Sequence, residues 1–318
     1  MRTRRGKHLT DTVVLMAVPM ATTRALGQCV TVLFGKEQGK YPDGNSVLVV
    51  GSAGSVLIDP SQSVHEASPP LRVDRVLLTH AHEDHVAGLS AVRTEAISVH
   101  ERDLAALQSV EGLMALYGIP ADRIPAMTDF VTERFHFLGW PSATSFRDGA
   151  TWDLGGVVVR ATSMPGHTGG HCLFVIEHDD GPTVVVTGDI DLSTFGPYYG
   201  DAGSSLEEFE ATLRALPELI ADHYVTFHHK GVVDGHDAFV AAVSAFGEAI
   251  TRREAALLEL LATRHSLDQL VDIGIVYRPG TRPPLFGESV EKRSIQQHLD
   301  RLLLDDVVAT DGREYWKL

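Results

Sequence analysis

A layered α/β domain followed by a small helical module is the fold class this sequence predicts, and three observations carry it. Short β-rich runs recur between residues 28 and 228, broken by glycine-rich turns, and several end on His or Asp. Apolar residues at helical spacing appear between those runs and dominate after about residue 250. With 318 residues and 44% hydrophobic content, the chain is long enough for one large core or two smaller ones. Polar residues at the ends of successive apolar strands imply sheet edges converging on one site, as ligand crevices do in layered α/β folds.

The elements follow in order. The opening "MRTRRGKHLTDTVVLMAVPMATTRA" has a basic start and a short apolar stretch, superficially like a secretion signal. Asp11, Pro19, Arg24 and the lack of a small-x-small cleavage site favour a basic tail leading into a first strand, hence a cytoplasmic protein. "QCVTVLFG" and "NSVLVVGSAGSVLIDP" read as strands broken by a Gly-Ser turn and ending at Asp59, and "VDRVLLT" as another. Residues 101–117 carry Leu and Ala at helical spacing, and residues 118–147, with Pro120, Pro125, Gly139, Trp140 and Pro141, read as a looser insertion or lid. From 150 to 189 strands alternate with sharp glycine turns, and "SLEE" at 205–208 is a capping-box start for a helix running towards 216. "HYVTF" is a last strand ending on His228 and His229.

Past residue 250, "TRREAALLELLA", "SLDQLVDIG" and "SVEKRSIQQHLDRLLLDD" read as three helices, and "VVATDGREYWKL" as a hairpin around Asp311-Gly312. Three helices and a hairpin predict a winged-helix module, dividing the chain at 1–245 and 246–318. That module holds ten Lys and Arg against eleven Asp and Glu over residues 251–318, too balanced for a DNA-reading surface, so it is expected to serve packing or oligomerisation. The net charge of -15 likewise disfavours nucleic acid as a partner. No run of eighteen apolar residues exists to cross a membrane, and two distant cysteines exclude a disulfide framework.

The chemistry lies in "THAHEDHVAG", residues 79–88. A tight turn after a strand can aim His80 and His82 at one point, while Asp84 and His85 face a second. Imidazoles mixed with a hard carboxylate suit zinc, manganese or iron. Four ligands are too few for two metals, and the strand ends supply the rest: His167, Asp189, and His228 or His229. Seven ligands suffice for two ions sharing a carboxylate.

"THAHEDH" resembles the HxHxDH signature of the metallo-β-lactamase fold superfamily, and His167, Asp189 and a late histidine match its remaining positions in order. The resemblance covers roughly residues 28–232, and over its full length the chain looks like glyoxalase II-like hydrolases with a C-terminal winged helix, related to β-lactamase-like protein 2. It implies an αββα sandwich, with His80, His82 and His167 on one metal, Asp84, His85 and the late histidine on a second, and Asp189 bridging. An ungapped overlay on "VTFHH" selects His229, with His228, where relatives usually have glycine, as the alternative. Having neither cysteine nor serine at 189, the chain is unlike the single-zinc β-lactam-hydrolysing branches. Asp59 is similar to a position that orients ligands by hydrogen bonding, and a turn-capping role is as well supported.

Other residues are expected to be ordinary. Glu83 is expected to be exposed and His171 structural; His65, His100, His136, His178, His223, His236, His265 and His298 lack partner spacing. Gly166, Gly169 and Gly170 are expected to permit the turn that presents His167. Tyr198, Tyr199 and Trp140 are pocket or core.

The expected activity is that of a hydrolase using two divalent ions, zinc first and iron or manganese as alternatives. Ions about 3.5–4 Å apart share a hydroxide that attacks an ester-like centre in a small molecule, such as a thioester or lactone. Asp84 and Asp189 are its expected catalytic carboxylates, Asp84 as a proton acceptor on the strength of the resemblance. A ribonuclease of the same fold, a redox iron enzyme, and a non-catalytic winged-helix binding protein are the alternatives.

Overall fold

The computed structural model describes residues 22–278 and 280–318, so the expected basic tail lies outside the described residues. Seven strands form the first sheet, in the order of the sequence: β1 (Thr23–Leu26), β2 (Val30–Leu33), β3 (Ser46–Val50), β4 (Ser55–Ile58), β5 (Arg75–Leu77), β6 (Ala96–His100) and β7 (Thr144–Phe146). β1 to β4 pair antiparallel, and β4 to β7 pair parallel. The second sheet runs in the reverse order of β8 (Thr151–Asp153), β9 (Val157–Ser163), β10 (Cys172–His178), β11 (Val184–Val186), β12 (His223–Val225) and β13 (Val232–Asp234). Its single parallel pair is β11–β12.

Alternation along each strand sorts side chains between two interfaces. On β3 and β4, Val47, Val49, Val56 and Ile58 face the second sheet, while Leu48 and Leu57 face outward. The outward face of the first sheet is covered by α1 (Gln62–His65), α2 (Leu104–Gln108), α3 (Val110–Tyr117) and α4 (Ile124–Phe135). On the second sheet, Phe174, Ile176, Val184 and Val186 meet the first, and Leu173, Val185 and Tyr224 pack against α5 (Leu206–Ala215) and α6 (His236–Leu260). Each sheet is thus buried on both faces, which is why its strands read as continuous apolar runs. The expected layering of helix, sheet, sheet and helix is what forms.

Two expectations change. The stretch from 118 to 147 is no loose lid: α4 occupies its middle and buries Met127, Val131 and Phe135. Pro125, read as a breaker, sits in the first turn, where the ring costs no hydrogen bond. The helix expected from about 250 begins fourteen residues earlier, at His236, and is 25 residues long. A division at 245 falls within it: Phe239, Val243, Phe246 and Ile250 belong to the core of the second sheet, and Leu257 to a separate C-terminal core.

That C-terminal core is closed by α7 (Leu267–Ile273) and α8 (Gly287–Leu304), with β14 (His265–Ser266), β15 (Val308–Thr310) and β16 (Glu314–Lys317) forming a sheet in the order β14-β16-β15. Ser266 and Gln269 make the reciprocal capping box that starts α7. At α5 only half of that device forms: Ser205 accepts from the Glu208 amide, and the Glu208 carboxylate pairs with Arg102. α8 is tied to the rest of the protein along its length. Arg293 donates to the carbonyls of Tyr117, Gly118 and Gly200, Gln297 to that of Tyr199, and Arg301 pairs with Glu210 at 2.7 Å. No helix among the described residues is long and apolar enough to cross a membrane.

Candidate metal centre

Asp59 organises the approach to the centre. It ends β4 with a left-handed backbone, φ 49°, a conformation that Asp tolerates better than most residues. Its carboxylate accepts from the Thr79 amide at 2.8 Å and the Thr79 hydroxyl at 2.7 Å, fixing the chain as it leaves β5. From there the loop carries His80, His82, Asp84 and His85 inward, all buried. The connection between β9 and β10 presents His167, the end of β11 presents Asp189, and the end of β12 presents His228.

These side chains form two groups. His167 Nε2 lies 3.1 Å from His80 Nε2 and 3.0 Å from His82 Nδ1, with Asp189 Oδ2 at 3.2 Å. In the second group, His228 Nε2 is 2.9 Å from Asp84 Oδ2, and His85 completes the set. Asp189 reaches both: its Oδ1 is 2.9 Å from His85 Nε2 while Oδ2 faces His167.

The donor set fits a divalent cation, as the outer nitrogens show. A neutral imidazole has one N–H, so an acceptor at one nitrogen leaves a lone pair on the other. His167 Nδ1 faces the Tyr198 carbonyl at 3.1 Å, and His228 Nδ1 faces that of Gly39 at 2.6 Å. His80 Nδ1 faces Thr79 Oγ1 at 3.1 Å, and His85 Nδ1 lies 3.3 Å from the same oxygen and 3.0 Å from Asp59 Oδ2. Because the Thr79 hydrogen goes to Asp59, its oxygen accepts from these rings. His82 Nε2 is 3.1 Å from Asp201 Oδ2, close enough for charge attraction but off the angle of a hydrogen bond. Four of the five rings therefore aim lone pairs inward, against one another and against carboxylate oxygens, and His82 Nδ1 faces the same space, an arrangement that repels itself until a cation or protons enter.

Protons fill that role when metal is absent. Burial opposes charge on His228, yet Asp189 and Asp84 raise it to about 9; against the same opposition Asp201, Glu83 and Asp189 raise His82 to about 9. His85 is driven well above the ordinary range by Asp189, Asp59 and Asp84 despite its burial. His80 goes the other way, held well below by burial and by the charges of His85, His82 and His167. Burial would raise Asp84 and Asp189, but His85 and His228 beside both, with His167 beside Asp189, keep them ionised.

The structure corrects the choice of late histidine. His228 enters the second group, whereas His229, favoured by the overlay, is 41% exposed on its side chain with Nε2 3.7 Å from Asp191. The turn explains the swap: the His228 carbonyl accepts from Thr226 Oγ1 and the Lys230 amide, and His229 takes a left-handed conformation, φ 60°, that turns it outward. Glu83, expected to be exposed, is buried, accepting hydrogen bonds from the hydroxyls of Tyr117 and of Tyr41, the latter at 2.9 Å. His171 stays outside both groups: Nδ1 donates to the Met164 carbonyl, Nε2 accepts from the Asp189 amide, and burial with nearby His167 holds it at about 3. Tyr198 lines the pocket, whereas Tyr199 is core and bonds His298, and Trp140 packs on Phe137.

Gly166, at φ 129°, has its Cα so close to α5 that a Cβ would lie 2.3 Å from the Phe209 backbone. Sequence reasoning missed Asp103, which is 1% exposed. Its carboxylate accepts from the Gly170 amide at 2.8 Å, the Thr168 hydroxyl at 2.7 Å and the Ala81 amide at 3.3 Å, tying the loop of His80 and His82 to the loop of His167. No motif surrounds it; its place three residues after a helical N-cap was the only signal.

The two groups open into a cavity of about 330 Å³. The chain is 27% identical over 175 residues to the "Probable polyketide biosynthesis zinc-dependent hydrolase BaeB" of Bacillus velezensis, covering 53% of this chain and 64%, just under two thirds, of that protein. It is 26% identical over 277 residues to a hydroxyacylglutathione hydrolase of Stenotrophomonas maltophilia, covering 85% and 92% of the two chains. Its fold superposes on a beta-lactamase domain protein from Burkholderia ambifaria with a TM-score of 0.64, at 16% identity and over 96% and 97% of the chains. The profile of the Metallo-beta-lactamase superfamily matches residues 41–228, more than half of the chain and the span that holds both ligand groups, and the chain belongs to that superfamily.

Proposed function

We propose that this metal-dependent hydrolase is binuclear and acts on a small ester-like substrate such as a thioester or lactone. The observation that carries the reading is the Asp189 carboxylate, whose two oxygens face different ligand groups. On this reading His80, His82 and His167 hold one ion, Asp84, His85 and His228 a second, and Asp189 joins them. Two bound divalent ions, zinc by the donor set, would supply a water ionised near neutral pH and an anchor for the developing oxyanion. Asp84 is kept ionised by His85 and His228, and on this reading it would accept the proton released at the reacting centre. Asp59 orients the His85 ring and, through Thr79, that of His80.

The relatives named as a zinc-dependent hydrolase and a hydroxyacylglutathione hydrolase support hydrolysis by such a site. We read the C-terminal helices and three-stranded sheet as a winged-helix-like module that serves the pocket, since α8 is committed to contacts with the catalytic layers. The test is elemental analysis of protein purified without added metal, beside a screen of thioesters, lactones, aryl esters, phosphodiesters and single-stranded RNA. Two metal ions per chain with ester or thioester turnover is expected, and Asp189→Ala should lose both. Full metal content and activity in that variant would overturn the binuclear reading, and turnover confined to RNA would replace the substrate class.

A further inference from the structure

Part of the pocket wall comes from outside the span that the superfamily profile matches. Tyr277, Pro283 and Phe286, in the connection between α7 and α8, line the cavity together with Phe195 and Met127. Tyr277 and Phe195 pack with ring centroids 5.7 Å apart. This wall is apolar and aromatic, and the C-terminal module completes it with Tyr277, Pro283 and Phe286 against Phe195 and Met127 of the layers that hold the ligands.

The charged side chains on the cavity are as informative. Besides the histidines and the two carboxylates assigned to the metals, they are Glu83, Asp191 and Asp201; neither Lys nor Arg lines it among the described residues. Two guanidiniums behind the wall are committed to main-chain carbonyls, Arg253 to Pro197 and Phe195 at 2.6 and 2.8 Å, and Arg293 to Tyr117 at 2.9 Å, while Arg134 lies over the rings of Phe130 and Phe135. Recognition of a carboxylate or phosphate usually draws on such cations, and here none is free on the wall. Two buried side-chain oxygens there have no hydrogen-bond partner among the described residues, the neutral Ser193 Oγ and Oδ2 of the Asp201 carboxylate, and neither would attract an anion.

Resting on the hydrolase reading above, we propose that the substrate is an uncharged thioester or related ester whose aryl or comparably apolar group seats against Tyr277, Phe286 and Phe195, and that anionic carriers are excluded. In the thioester case, the oxygen of water bonds to the acyl carbon, the C–S bond breaks, the thiol leaves with one proton and the acid yields the other. The relative named as a hydroxyacylglutathione hydrolase would differ from this chain in the carrier it accepts.

The experiment compares two phenylacetyl thioesters on the zinc-loaded full chain, one carried by uncharged N-acetylcysteamine and one by anionic glutathione, with the non-hydrolysable ketone analogue of each as a binding probe. The uncharged thioester should have a kcat/KM at least about tenfold higher, and its analogue should bind at least about tenfold tighter. Tyr277→Arg, which places a cation on the wall, should narrow both gaps. Phe286→Leu should lower the preference for phenylacetyl over acetyl thioester at least about threefold at unchanged zinc content. Equal or better handling of the glutathione compounds, or a preference untouched by both variants, would overturn the inference. If neither thioester is cleaved while the uncharged analogue still binds selectively, the hydrolase reading fails and the pocket assignment stands.

Discussion

Replacing Asp103 by alanine removes an acceptor that three donors share across two loops. Hydrogen bonds to a charged group contribute roughly 1.5–3 kcal/mol each, and leaving a buried donor unpaired costs on that scale. The bonds at 2.7 and 2.8 Å fall in this class, while the Ala81 amide at 3.3 Å adds less. Since all three converge on one carboxylate they are not additive, and a loss of about 3–5 kcal/mol is expected. At about 2–4 °C per kcal/mol, the melting temperature should fall by roughly 6–20 °C. Asp103→Asn keeps an oxygen for one donor but turns an amide N–H₂ towards another, so it should recover less than half. The second measurement is zinc affinity, because Asp103 holds the loop of His80 and His82 against that of His167; competition with a chromogenic chelator should show a 10–100-fold loss. A loss of stability below about 1 kcal/mol together with unchanged zinc affinity would refute the reasoning.

Other expectations concern the centre directly. His228→Ala should retain about one zinc ion per chain and His229→Ala two, by elemental analysis; the opposite pattern would restore the overlay's choice. Asp59→Ala frees both Thr79 and the His85 ring and should weaken zinc binding 10–100-fold in the same chelator assay. In chelator-treated protein, His82 and His228 titrate near 9, above the unfolded value of about 6.5. A raised folded-state pKa gives stability that is complete below about 6.5 and lost as pH rises through 9, so the metal-free melting temperature should fall over that window. Apparent zinc affinity should rise across it, because fewer protons must be displaced. A metal-free protein that grows more stable from pH 6.5 to 9 would contradict the assigned environments. Gly166→Ala should destabilise by more than about 1 kcal/mol in urea unfolding, since the added Cβ meets backbone that cannot step aside.

Much of this was legible because metal ligands must be particular residue types and β-strand ends must deliver them. The spacing of His80, His82, Asp84 and His85 survives translation into structure because one short loop carries all four. His228 was not separable from its neighbour, since the choice depends on one left-handed residue and on where the His228 carbonyl is bonded. Glu83 read as exposed from its charged surroundings; Tyr117 and Tyr41, 34 and 42 residues away, bury and satisfy it. Asp103 was invisible because its partners are two backbone amides and a threonine, which leave no pattern. Pro125 misled because the same residue breaks a helix interior and suits a helix start.

The 25-residue helix α6, about 37 Å long, belongs to two cores at once. Its first half seals the second sheet, and its last turns seed the C-terminal cluster. A truncation at 245 would therefore strip Phe246 and Ile250 from the sheet they cover and delete the segment bearing Tyr277 and Phe286. The cut would not release an autonomous enzyme from a dispensable appendage; it would leave an open-sided pocket on a half-capped sandwich. Melting should accordingly be one cooperative event, with both regions losing protection from hydrogen exchange together.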